Sequence, residues 1–323
     1  MNSFGKNFRL SIFGESHGKT IGILIDGCPS GISINDSDFL PDLLRRKSGK
    51  KGTSTRTESD KPKIISGIFN NKTTGAPILI EFDNDNIKPS DYKQFVKTPR
   101  PGHADFVANK KFKGFNDYNG GGHFSGRLSL ALVVAGVIAK KIIPNIKIKA
   151  TIKEIYGTSD INKALDFAIK NNDSVGGIIE CKAQNIPIGL GEPFFNSVES
   201  VISHLAFSIP GIKAIEFGAG FNASKMLGSE FNDLIIDKKG TTKTNNSGGI
   251  NGGITNGNDL IFRLAVRPTA SISKPQKTFN FEKNKIQNLI IKGRHDICIT
   301  LRIPVIVEAI TAIALTDFYL ENN

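Results

Sequence analysis

The chain has 323 residues, 39% hydrophobic and 22% charged, a composition that fits a folded globular protein and excludes a disordered one. Its net charge of +12 leaves nucleic acid, an anionic membrane surface and small polyanions open as partners. The 3 cysteines, Cys28, Cys181 and Cys298, are far apart without a CxxC pair, which argues against a disulfide framework and a structural zinc site.

In chain order, the N-terminus lacks an uninterrupted apolar core and a small-residue cleavage site, so no signal peptide is expected. Residues 9–13 and 20–26 read as strands flanking a Gly-rich turn. Asn35, Asp36 and Ser37 offer N-cap chemistry for a short helix that reaches Leu43 and Leu44. Strands follow at 63–69 and 77–82. The apolar run 128–143 is too long for an ordinary strand, short of the roughly 20 residues that span a bilayer, and carries Lys140 and Lys141; it reads as a buried helix. A strand is expected at 146–155, then a helix at 161–170 capped by Ser159 and Asp160, and a strand at 177–183. A helix over 197–207 stops at Pro210-Gly211, with strands at 214–218 and 259–266. Residues 237–258 form a long polar loop, of the kind that is more often functional than structural. The last helix covers about 305–320. Short connections between many strands suit an α+β fold with antiparallel sheet rather than a doubly wound parallel one. A single domain, residues 1–323, located in the cytoplasm and with no membrane segment, is expected.

Four of the 5 histidines lie in Gly-containing polar segments: Gly14-Glu15-Ser16-His17-Gly18, Arg100-Pro101-Gly102-His103, Gly121-Gly122-His123 and Gly293-Arg294-His295-Asp296. Glycine lets backbone approach a ligand closely, and histidine moves protons near neutral pH. His204 instead sits in a plain amphipathic helix. No histidine pair has the i, i+4 spacing of a helical metal site, so no metal is expected. Arginines accompany the histidines, and guanidinium forks bind carboxylates and phosphates. Arg56 reads as a solvated surface charge. Arg127 and Arg302 border apolar sequence and need an anionic partner, either a protein carboxylate or a ligand. The 120–122 glycine loop leads into a helix and could hold a phosphate, although it lacks the GKS/T ending of a P-loop. Arg267-Pro268-Thr269-Ala270-Ser271 adds hydroxyl donors. From the residues alone this is an enzyme with basic, His-rich loops for a small polyanion, set against a nucleic-acid-binding alternative with steep salt dependence.

These segments, in this order, resemble the chorismate synthase family along essentially the whole chain. The resemblance rests on FGESHG at 13–18, Arg45-Arg46-Lys47, Thr73-Thr74-Gly75, RPGHAD at 100–105 and GLGEP at 189–193. It continues through the 248–255 glycine loop, 267–272, GRHD at 293–296 and Val307-Glu308-Ala309. It implies a β–α–β sandwich of antiparallel sheets and helices that assembles as a homotetramer. The implied reaction is a trans 1,4-elimination of phosphate from 5-enolpyruvylshikimate 3-phosphate, giving chorismate. This lyase chemistry uses reduced FMN without net redox. By resemblance His17 protonates the departing phosphate, His103 sustains the protonation of reduced flavin, and Asp296 helps relay the proton from flavin N5. Arg45, Arg46, Arg127 and Arg302 would clamp the substrate. His123, Phe124, Ser125, Gly252, Arg267, Pro268, Thr269, Ala270, Ser271 and Arg294 map onto flavin-contacting positions, as do Pro210 and Gly211. Some family members also reduce flavin with NADPH; no separate reductase domain is visible here, so a monofunctional enzyme supplied with FMN reduced elsewhere is expected. The chain departs from the family pattern at His123 and Phe124 (usually Arg and Ser), Arg267 (Lys), Ile297 (Pro) and Ser48 (Pro), and the region around Lys51 lacks one arginine.

Overall fold

The computed structural model describes residues 2–56, 58–86, 92–293 and 295–322. Its first half begins with strands β1 (Ser3–Phe4), β2 (Arg9–Gly14) and β3 (Thr20–Asp26), then helix α1 (Asp36–Arg46). Strands β4 (Lys63–Ser66), β5 (Ile68–Phe69), β6 (Lys72–Thr73) and β7 (Ile78–Asp83) follow. Helices α2 (Asp105–Lys111) and α3 (Ser129–Ile142) lead to β8 (Lys147–Ile155), α4 (Ile161–Lys170) and β9 (Gly177–Gln184). Next come α5 (Val198–Ser208), β10 (Ile212–Phe217), α6 (Gly228–Phe231) and the small hairpin β11 (Ile250–Asn251) and β12 (Ile254–Thr255). The chain ends with β13 (Leu260–Val266), the hairpin β14 (Gln276–Asn280) and β15 (Lys285–Leu289), and α7 (Pro304–Glu321).

Two antiparallel sheets carry the fold, in the orders β1-β2-β3-β7-β4 and β10-β13-β9-β8. Helix α3 packs on β3 of the first sheet, α7 packs on β8 and β9 of the second, and the two helices pack on each other. This is the expected α+β layering, sheet–helix–sheet. Because α3 and α7 are covered from both sides, they are apolar nearly all round, with residues such as Leu130, Val134, Ile138, Ile310 and Ile313 fully buried. The helices cross closely at Gly136, where a Cβ would sit 2.3 Å from Ala309 Cβ.

Most expected elements form with shifts of a residue or two. The 63–69 strand is broken at Gly67, whose φ of +83° bends the chain between β4 and β5. The 237–258 loop contains the β11–β12 hairpin rather than being wholly irregular. Several elements went unread, among them the short β1, β6 and α6, helix α2 and the β14–β15 hairpin. Helix α2 starts inside the RPGHAD segment, and the β14–β15 hairpin is polar on most of its length. Among the described residues no helix is long and apolar enough to cross a membrane.

Candidate active site

A cleft of about 280 Å3 gathers segments that are distant in sequence: the end of α1, the stretch 54–60, the RPGHAD segment, the 120–129 turn and the loops after α5, β13 and β15. Among the described residues six arginines line it (Arg46, Arg56, Arg100, Arg127, Arg267, Arg302) against three carboxylates (Glu58, Asp60, Asp296), so the cleft is built for an anion.

Arg46 is the most confined of these. Its Nε donates to Ser129 Oγ (3.0 Å) and its Nη2 to the carbonyls of Gly126 (2.9 Å) and Arg127 (3.3 Å), while the nearest carboxylate, Asp60, is 3.8 Å away. Burial, then the neighbouring Arg302 and Arg127 charges, pull its guanidinium down to about 9 against the partial compensation of Asp60 and Asp296. A guanidinium so placed is short of negative charge. Arg127 is better provided: Nη1 donates to Asp60 (2.8 Å), Nε to Asn84 Oδ1 (2.6 Å) and Nη2 to the Asp83 carbonyl (3.1 Å). Arg302 donates from Nε to the Arg46 carbonyl (2.8 Å) and pairs with Asp296 at 3.2 Å. Asp296 also accepts the Ser54 N–H at 2.8 Å.

Of the expected substrate clamp, Arg46, Arg127 and Arg302 meet in the cleft and Arg45 does not. Arg45 forks onto Glu308 (2.6 and 2.7 Å) and ties α1 to α7. Successive helical residues point about 100° apart, so when Arg46 faces the cleft Arg45 cannot. Arg56, expected as a solvated surface charge, is instead a lining residue. It pairs with Glu58 (2.6 Å) and donates to Ser16 Oγ and O, both at 3.1 Å. The trace of this stretch in the sequence was only the alternating charges of Arg56, Glu58 and Asp60.

The two catalytic-candidate histidines occupy adjoining positions. His103 lines the cleft, with Nδ1 2.7 Å from Asp105 Oδ1. His17 is buried just behind, edge-on to the Tyr92 ring at 4.9 Å. Gly120 closes over it: with φ of +60°, any Cβ there would lie 2.1 Å from His17 Nδ1. His295, given no role from sequence, also lines the cleft. Its Nε2 is buried without a hydrogen-bond partner among the described residues, and burial, followed by the Arg100 charge, pushes its imidazole below the ordinary histidine value. A neutral ring there offers an acceptor among many donors.

Phe124, Ser125, Pro210, Gly211, Arg267, Thr269, Ala270 and Ser271 all line the same cleft, and Pro268 lies within that last run without lining it. His123 turns away: Nδ1 bonds the Gly14 carbonyl at 2.8 Å and Nε2 reaches Asn2 Oδ1 at 3.2 Å, beside a separate cavity. Gly252 sits at the β11–β12 turn, also outside the cleft. Arg294 lies outside the described residues. The donor set suits a planar, phosphorylated ring system: a half-exposed Phe124 ring, the Arg267 cation and a buried Thr269 Oγ1 with no partner among the described residues. Among the described residues no cluster of His, Cys, Asp or Glu could hold a metal ion.

Comparison with known proteins accounts for this assembly. The family model described as chorismate synthase matches residues 8–320. The chain is 59% identical over 321 residues to a chorismate synthase of Chitinophaga pinensis, covering 99% of this chain and 97% of that protein. It is 43% identical over 351 residues to one from Dehalococcoides mccartyi, covering 99% and 96%. A crystal structure of chorismate synthase superposes with a TM-score of 0.74 at 23% identity, covering 99% of this chain and 93% of that one, and so shares the fold. With the match running from the first core strand to the last helix, the chain belongs to the chorismate synthase family.

Proposed function

We propose that the protein eliminates phosphate from 5-enolpyruvylshikimate 3-phosphate to form chorismate, as a lyase that needs reduced FMN and gives no net redox change. The observation that carries this reading is the buried, under-compensated Arg46 beside Arg127 and Arg302 in a cleft with surplus positive charge. A substrate with two carboxylates and a phosphate brings about four negative charges. Its anionic groups complete what Asp60 and Asp296 leave unfilled.

Residues of this chain would hold FMN along Phe124, Ser125, Pro210, Gly211 and the Arg267–Ser271 run, with the Thr269 hydroxyl as a donor. When bound there, reduced FMN would supply transient electron transfer, for a ring hydrogen not acidic enough for an ordinary side-chain base. His17 delivers a proton to the departing phosphate from its position under Gly120. His103 presents its Nε2 edge to the cofactor side, with Nδ1 fixed by Asp105. Asp296 has its carboxylate aimed by the Ser54 N–H and Arg302, an orientation suited to receiving a proton. His123 and Gly252 take no part within one chain on this arrangement.

The enzyme is monofunctional on this reading, with flavin reduced by another protein, and it works in the cytoplasm as a homotetramer. Exposed apolar side chains such as Phe194, Phe195, Phe221 and Leu227 support association of copies. The test is anaerobic turnover with chemically reduced FMN compared with oxidised FMN plus NADPH. Turnover with the first and none with the second supports the reading; equal turnover with both removes the monofunctional claim.

A further inference from the structure

The geometry points to Arg100 and Asp105 as a buried positioning pair that fixes the tautomer and aim of His103, and this deepens the proposed reading of the cleft. Both side chains are almost fully buried. Asp105 Oδ2 accepts from Arg100 Nε (2.7 Å) and from the Arg100 backbone N–H (3.1 Å). Its Oδ1 accepts from Arg100 Nη2 (2.7 Å) and lies 2.7 Å from His103 Nδ1. Burial works to raise the Asp105 carboxyl, but the bonds from Arg100 and His103 outweigh it and hold it well below the usual carboxylate range. Arg100 Nη2 also lies 3.1 Å from His103 Nδ1, but a bare Nδ1 would set its lone pair against the ionised carboxylate at 2.7 Å, so the shorter contact makes His103 Nδ1 the donor to Asp105. The proton of the neutral ring is therefore on Nδ1, and the lone pair is on Nε2. Nε2 is also the edge nearer the glycine turn, 3.5 Å from where a Gly121 Cβ would be.

Arg100 in turn is fixed on every side. Its Nη1 donates to Ser271 Oγ at 3.1 Å, and its guanidinium stacks over the Phe95 ring at 4.4 Å and near the Tyr92 ring at 5.9 Å. Tyr92 meets His17 edge-on. One cation thus sets the carboxylate that orients His103, a hydroxyl on the Arg267–Ser271 run, and the ring that abuts His17. Neither Arg100 nor Asp105 reaches reacting atoms on this account; they act through the residues they hold.

Asp105→Asn tests this without changing shape. Both contacts to Oδ2 come from Arg100, so the amide keeps its oxygen on Arg100 Nε and the backbone N–H and turns its NH2 toward His103, giving up the Arg100 Nη2 bond. His103 must then accept at Nδ1 and carry its proton on Nε2. The readout is the 15N spectrum of ring-labelled protein, above the ordinary histidine titration range, with the His103 signals assigned by their loss in His103→Ala. The wild-type protein should show a protonated Nδ1 and a bare Nε2, and Asp105→Asn the reverse. In the turnover assay the variant should lose at least about 100-fold in kcat with KM within about threefold, as for a residue that sets proton placement rather than binding. A wild-type spectrum with the proton on Nε2 overturns the proposal, and so does a folded Asp105→Asn with unchanged tautomer and kcat within about twofold. The wild-type spectrum needs only the His103→Ala protein, for assignment, and does not depend on Asp105→Asn folding. It also stands apart from the activity: an inactive wild-type protein with the proton on Nδ1 would defeat the functional reading and leave the positioning pair intact.

Discussion

A cation buried next to other cations is the residue-scale signature of this cleft. Arg46 makes neutral hydrogen bonds to Ser129, Gly126 and Arg127, while its nearest carboxylate is shared with Arg127. A charged hydrogen bond to a ligand contributes about 1.5–3 kcal/mol. Arg46→Ala should therefore raise KM for the anionic substrate by about tenfold or more, checked by steady-state kinetics. Gly120 makes a different prediction. A methyl group at Gly120→Ala, placed 2.1 Å from His17 Nδ1, has to displace the imidazole or the turn. Misplacement by about 1 Å can cost 100-fold, so kcat should fall by about that factor while the thermal transition stays cooperative. Both residues were partly legible in the sequence. The glycine loops and the arginines stood out, but which arginine faces inward did not, because Arg45 and Arg46 differ only in helical phase. The roles of Arg56, Glu58 and Asp60 escaped for a related reason: the stretch carries no apolar alternation to reveal its buried side.

At the scale of elements, the ends of the chain hold one another. Asp317, near the end of α7, accepts the backbone N–H groups of Lys6, Asn7 and Phe8 at 3.1, 2.7 and 2.8 Å. These three donors precede β2 and lie against the sandwich, where losing their partner leaves them poorly satisfied. Asp317→Ala should destabilise the fold by about 2–4 kcal/mol, read from denaturant unfolding, with kcat of the folded fraction little changed. Such an anchor has no local sequence signal, since its partners are some 310 positions away. The elements themselves were readable where hydrophobic period and caps agreed, as in α4 with Asp160 at its N-cap and α5 with Ser197. They were missed where polar residues dominate, as in β14–β15, or where functional chemistry occupies the first turn, as in α2.

For the whole molecule, two sheets enclosing α3 and α7 make a rigid frame, and loops from several of its elements converge on one basic cleft. That frame explains why the layering followed from the short strand connections, whereas the cleft needed the three-dimensional structure. The most direct measurement is anaerobic incubation of the purified protein with 5-enolpyruvylshikimate 3-phosphate and chemically reduced FMN, following chorismate absorbance and phosphate release together. Equal amounts of both, no product with oxidised FMN, and flavin still reduced at the end are the predicted result. No product from a folded protein that binds both ligands, or flavin oxidised in step with product, would contradict an elimination without net redox.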